Sequence, residues 1–163
     1  MAGLATRVAA VLLGVALSGA ASAREATRAY ILDSGANELV VLDLAAGQRV
    51  AALPVEGTPS GIQPAPDGRH IVVLDRGPGK DKKERGYEAS GRSSATIIDT
   101  TNLEVIGRVE LGFGRVPGSS LFFAEGRMAV LCEGYDAKKA KDALPRELVT
   151  FDLGTARETG RLT

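Results

Sequence analysis

The sequence predicts an all-β chain built from one repeated antiparallel unit, and three observations predict it. Apolar runs ending in an acid recur at Tyr30-Ile31-Leu32-Asp33, Val72-Val73-Leu74-Asp75 and Val130-Leu131-Cys132-Glu133. A second acid-ended run follows each of them, from Glu38 to Asp43, Ser94 to Asp99 and Glu147 to Asp152, and Leu53, Val109 and Leu162 lie ten residues beyond those acids. Past the first two dozen residues no stretch keeps a 3.6-residue apolar period, whereas short apolar runs bounded by Gly, Pro, Asn and Asp read as strands.

Composition narrows the function classes. The 163 residues hold 20 Lys+Arg against 20 Asp+Glu, and 44% are hydrophobic. Such a chain is too apolar to remain disordered and has no large basic field, so no nucleic-acid partner is expected. One Cys and one His leave no internal disulfide and no Cys- or His-rich metal centre, so neither a metal nor a cofactor is expected.

Taken in order, the first element is a targeting segment. Thr6 and Arg7 precede the apolar run Val8 to Leu17, and Ala21-Ser22-Ala23 supplies a small-x-small cleavage pattern. Residues 1–23 therefore read as a secretory signal helix, too short and too rich in Ala and Gly for a membrane anchor. The mature chain would be residues 24–163, periplasmic or secreted, with no membrane insertion after cleavage. Cys132 would then be a lone thiol in an oxidising compartment, safest when buried.

The repeats follow at about 28–57, 58–112 and 113–163. If strands are lettered a to d within a unit, the first supplies b, c and d, and the other two supply all four, eleven in all. Between units a Pro-containing link, Pro59 to Asp67-Gly68 and Pro117 to Glu125-Gly126, leads through a short strand to a tight turn; Asp-Gly suits a two-residue hairpin. Asp33 and Asp75 are 42 residues apart, close to the ~40–45 of a propeller blade. Asp33 to Asp43 spans 10 residues, Asp75 to Asp99 spans 24 and Glu133 to Asp152 spans 19, so both insertions fall at the b-to-c connection. The predicted fold is thus an incomplete β-propeller of about three four-stranded antiparallel blades. Closed propellers hold ~4–8 blades, so the chain reads as a fragment of a longer protein, or as one that self-associates through open blade edges.

The Pro66-Asp67-Gly68 turn, Ile98-Asp99 and the segment Val50 to Gly57 resemble the YVTN-type β-propeller repeat. Asp33, Asp75 and Glu133 stand where that family carries Asn. The resemblance spans residues 28 to 163 and implies a propeller; it implies no particular activity.

Successive strands reverse, so b-to-c and d-to-a connections share one face. The insertions and the lengthened Gly112 to Gly118 link therefore gather there, the usual place for a binding site on a rigid scaffold. Residues 76–92 carry a net +3 and residues 134–146 a net +2. Lys80, Lys82, Lys83, Arg85, Tyr87, Arg115, Tyr135, Lys138 and Lys139 are the candidate ligand-binding residues, suited to an anionic small molecule or acidic protein surface. Charged loops of mixed sign also serve simply to keep a rim solvated. Asp43, Asp99 and Asp152 are expected to cap turns. Asp33, Asp75 and Glu133 end b strands on the elaborated face, where converging carboxylates would suit a cation, although turn capping is their commoner role. Cys132 occupies the repeat position of Leu32 and Leu74 and should pack as a small apolar group. His70, at a strand start, has no evident nucleophile beside it, and no catalytic residue is identified.

The leading function is an exported, non-catalytic propeller module that binds a ligand or protein through its loop-bearing face. The alternatives are a piece of a quinone- or amine-dehydrogenase-like propeller enzyme, against which stand the lone His and the absence of Trp, and a structural part of an envelope assembly.

Overall fold

The computed structural model describes residues 28–77, 92–123, 126–134 and 145–163. The signal segment lies outside them. The described residues form eleven antiparallel strands in three sheets of three, four and four strands. The chain divides into two compact units, Met1–Pro54 and Val55–Thr163.

The first unit is a meander of β1 (Arg28–Asp33), β2 (Glu38–Asp43) and β3 (Gln48–Pro54), in that spatial order. Each hairpin is closed by the acid that ends the strand before it. Asp33 Oδ1 accepts the Gly35 and Ala36 N–H groups at 2.9 and 3.0 Å. Asp43 Oδ1 accepts those of Ala45 and Ala46 at 2.8 and 2.9 Å. A carboxylate that satisfies two successive amides fixes where the chain reverses. Along β2 fully buried Leu39 and Val41 alternate with half-buried Val40 and Leu42, the two-residue period of a strand with distinct faces.

The second unit holds two sheets. One runs β4 (Pro59–Pro64), β5 (His70–Asp75), β6 (Arg92–Asp99), β7 (Glu104–Phe113). The other runs β8 (Arg115–Phe123), β9 (Arg127–Gly134), β10 (Glu147–Asp152), β11 (Arg157–Leu162). They enclose one core. Val72, Leu74, Ala95, Ile97, Val109 and Leu111 come from the first sheet, and Met128, Val130, Cys132, Val149 and Phe151 from the second. Burial of each Val, Leu or Phe side chain here contributes about 1.5–3 kcal/mol.

Three local expectations are corrected. The β4–β5 turn is not a two-residue hairpin: Ala65 N donates to His70 O at 2.9 Å, leaving residues 66–69 as the loop, with Gly68 at φ 66° and its N–H on Ala65 O. The link from Gly112 to Gly118 is not a long loop either. Strand β7 continues to Phe113 and β8 begins at Arg115, so only Gly114 joins them, at φ 65°. The extra length lies in a ten-residue and a nine-residue strand. Pro117 is accommodated because β8 is an edge strand whose register shifts between Pro117 and Ser120.

The third correction concerns register. Asp33 pairs with Glu38 and Asp75 with Ser94, but the partner of Glu147 is Cys132, not Glu133. Cys132 therefore holds the ladder position of Asp33 and Asp75, one step from the one its apolar neighbours suggest. It is fully buried all the same.

Candidate functional site

In both four-stranded sheets of the second unit the b-to-c connection leaves from one rim, between Asp75 and Arg92 in one and between Gly134 and Glu147 in the other. The Gly114 link joins the same ends. The side-chain polar interactions at this rim have two centres.

The first is Asp75, which is 1% exposed. Its Oδ1 accepts the N–H groups of Thr58 and Gly77, both at 2.7 Å. Its Oδ2 accepts the Ser94 hydroxyl at 3.1 Å and Arg108 Nη2 at 2.9 Å. A carboxylate buried this deeply persists because all of its strong acceptor sites are used. Arg108 also donates from Nε to Ser94 Oγ at 2.7 Å and pairs with Glu56. The carboxylate needs room: a Cβ on Gly57, at φ 85°, would fall 2.4 Å from its oxygens.

The second centre is Glu147. It accepts Arg115 Nη2 on Oε1 at 2.6 Å and Arg161 Nη1 on Oε2 at 2.8 Å. Arg115 also donates to the Pro145 carbonyl. Arg161 continues to Glu158 at 2.8 Å and, across to the other sheet, to the carbonyls of Leu111 and Glu110 at 3.0 and 3.1 Å. These carboxylates hold the Arg161 guanidinium's affinity for its proton above the ordinary value, against the opposing effect of burial. Arg161 and Arg108 occupy the same ladder position, opposite Val149 and Thr96. Each meets a carboxylate, but that carboxylate sits on β5 in one sheet and on β10 in the next.

Of the nine candidate binding residues, Arg115 alone lies among the described residues. It is the first residue of β8, 7% exposed, and its charge is committed to Glu147. Lys80, Lys82, Lys83, Arg85, Tyr87, Tyr135, Lys138 and Lys139 lie outside the described residues. Arg92 and Arg146, counted with the basic segments, pair with Glu110 and Glu133 on the scaffold.

The carboxylates at the b-strand ends do not form a common set: Asp33 caps its own turn, Asp75 is buried against Arg108, and Glu133 is half exposed beside Arg146 at 3.4 Å. Among the described residues no group of three or more His, Cys, Asp or Glu is placed to hold a metal ion. On the opposite rim Asp99 and Asp152 cap turns, accepting from Thr101 N at 2.7 Å and from Thr155 N at 2.8 Å. Asp67 does the same for Arg69 and His70, with His70 Nδ1 a further 2.6 Å from its Oδ2.

Sequence reasoning missed Glu56, Ser94, Arg108, Glu147 and Arg161. The signal was present. Arg108 and Arg161 each stand immediately before the apolar residue that lies ten positions beyond the strand-ending acid.

No family model matches the sequence, and no curated protein matches it. Solved structures do. Hydrazine synthase of Kuenenia stuttgartiensis superposes with a TM-score of 0.54 at 15% identity, over 77% of this chain and 36% of that one. Dihydro-heme d1 dehydrogenase NirN in complex with DHE gives 0.54 at 20% identity, over 82% and 25%. Pyrococcus horikoshii acylaminoacyl peptidase gives 0.53 at 14% identity, over 82% and 23%. The similarity is one of fold, and that fold is propeller-like. The chain spans between 23% and 36% of the length of these proteins.

Proposed function

We propose that the chain is an exported β-propeller module of the YVTN-repeat type, a part of a longer protein, that binds an anionic ligand or an acidic protein surface through its loop-bearing rim. One observation carries this reading. Both long connections spring from the same end of their sheets, each beside a buried carboxylate–arginine centre that fixes the strand ends from which it emerges. A rigid base under variable loops is how repeat scaffolds present a recognition surface. With Arg92 and Arg146 paired on the scaffold, the rim's basic character rests on Lys80, Lys82, Lys83, Arg85, Lys138, Lys139 and Lys141 set against Asp81, Glu84, Glu88, Asp136 and Asp142, with Tyr87 and Tyr135 as flat contact groups. Export rests on the leader pattern of residues 1–23, and the repeat type on Pro66-Asp67-Gly68 and Ile98-Asp99.

The test uses poly-glutamate as an acidic probe. Reversing Lys82, Lys83 and Lys138 to Glu should abolish salt-sensitive retention of the chain on immobilised poly-glutamate; unchanged retention would remove the loops from the binding surface.

A second reading, a segment of a propeller enzyme, is favoured by the fold shared with a synthase, a dehydrogenase and a peptidase, each much longer than this chain. Turnover by a longer product containing this segment, surviving the same three reversals, would favour it over the binding module.

A further inference from the structure

Phe113 ends β7 at the loop-bearing rim and is 65% exposed. The sheets on both sides of the Gly114 link, β4–β7 and β8–β11, are present and share one core, so the ring stays in water where the chain could have covered it. Exposed apolar residues scattered singly are ordinary. Three observations set this one apart.

The link did not have to carry it. Glu110 and Pro54 hold equivalent positions, opposite Ser94 and Glu38, and Pro117 and Pro59 do likewise, opposite Cys132 and Asp75. From Pro54 to Pro59 is 5 positions and from Glu110 to Pro117 is 7, so the link that holds Phe113 is two residues longer than its counterpart. The backbone that presents the ring is also held. Gly112 at φ 129° and Gly114 at φ 65° flank it in conformations that side chains rarely adopt. A Cβ on Gly112 would stand 3.2 Å from the Arg115 side chain, and the Gly112 carbonyl accepts the Ser93 hydroxyl at 3.1 Å. Finally, the ring stands between the roots of both basic segments. Phe113 lies across the ladder from Arg92, where residues 76–92 end, and Arg115 lies across from Gly134, where residues 134–146 begin.

We infer that Phe113 is the apolar anchor of the recognition surface, and that its partner is an acidic protein segment carrying an aromatic or large aliphatic side chain. The inference rests on the rim reading proposed above and narrows it. A small polar anion would leave the phenyl ring hydrated and gain nothing from it. An acidic segment with an apolar side chain buries the ring while its carboxylates meet the basic segments on either side, and a rigidly held aromatic is where binding energy concentrates.

The test compares binding of the full chain to immobilised poly-glutamate and to a random copolymer of glutamate and tyrosine, at equal charge and salt. The copolymer should bind about ten-fold more tightly, the gain from burying part of an aromatic pair. Phe113→Ser should erase that difference and Phe113→Trp should keep it, with circular dichroism confirming that both variants fold. A copolymer bound no more tightly than poly-glutamate would overturn the inference while leaving the rim reading in place. Equal weakening of both polymers by Phe113→Ser would overturn it too, marking the ring as structural support. So would a dimeric parent chain that Phe113→Ser turns monomeric in light scattering, because a second copy would then cover the ring. Binding of neither polymer by the parent chain would overturn the rim reading and this inference with it.

Discussion

Cys132 stands directly across the ladder from Glu147, in the register position that Asp75 holds opposite Ser94 one sheet earlier. The carboxylate has changed strands between repeats while the arginine that it serves, Arg108 or Arg161, has not. The centre is conserved in geometry and exchanged in residue order. Read as strand-ending acids, Asp75 and Glu133 look equivalent; read through the ladder, Asp75 is a buried hub and Glu133 a half-exposed neighbour of Arg146.

That difference is measurable. Asp75→Ala deletes an acceptor of four hydrogen bonds and leaves Arg108 partly buried beside an empty site, which should cost about 3 kcal/mol. Glu133→Ala removes an exposed pair and should cost about 0.5 kcal/mol or less. Urea unfolding of both variants checks the contrast, and equal losses would contradict the register.

The eleven strands and their grouping into three, four and four were legible because apolar alternation and acid-ended runs are local signals. Turn capping by Asp43, Asp99 and Asp152 was legible for the same reason. Register was not. In the third repeat β9 runs eight residues where β5 runs six, and a one-residue slip changes which side chain faces the core while leaving the apolar pattern plausible. Arg115 was read as a loop residue because it lies in the lengthened Gly112 to Gly118 link, yet an edge strand with a bulge tolerates the proline there. The Asp75 and Glu147 centres join residues up to 52 positions apart, which no local window displays.

Gly57 should be irreplaceable for a reason that Gly47 lacks. Both have positive φ, 85° and 65°, so alanine at either incurs about 1 kcal/mol of backbone strain. A methyl group at Gly57 also meets the Asp75 carboxylate at 2.4 Å, whereas nothing lies within 4 Å of one at Gly47. Gly57→Ala should therefore cost about 2 kcal/mol or more in total and lower the thermal midpoint well beyond Gly47→Ala. Similar losses for the two would show that the carboxylate yields freely.

Burial pushes the Cys132 thiol up to about 11, with the nearby Arg161 and Arg115 only partly offsetting it. An acid whose folded value exceeds its unfolded value, about 8.5, supports the folded state below that pH and loses the contribution as pH rises toward the folded value. Stability should therefore decline between about pH 8.5 and 11, and Cys132→Ala should flatten that decline. Iodoacetamide at pH 8 should label the thiol only after denaturation; rapid labelling of the folded chain would place the sulfur at the surface.

The acid limb has the opposite sign. At Asp67 burial raises the carboxyl's value, but the hydrogen bond from His70, the Arg69 and His70 amides and the imidazole charge outweigh it and leave it below the ordinary range. Asp99 is lowered first by the Thr101 amide, against a smaller opposing effect of burial, with Arg69 adding its hydrogen bond and charge; Asp152 is lowered first by the Thr155 hydroxyl and then its amide. Each is a stronger acid folded than unfolded, so each supports the fold above the unfolded value near pH 4 and loses that support as pH falls through its depressed value. The thermal midpoint should hold steady from neutrality to about pH 4 and drop below it. Replacing all three with Asn keeps an acceptor for each turn amide and removes the titration, so the drop should become shallower while the midpoint at pH 7 falls modestly. An acid limb of undiminished steepness in the triple variant would show that acid unfolding does not run through these three carboxylates.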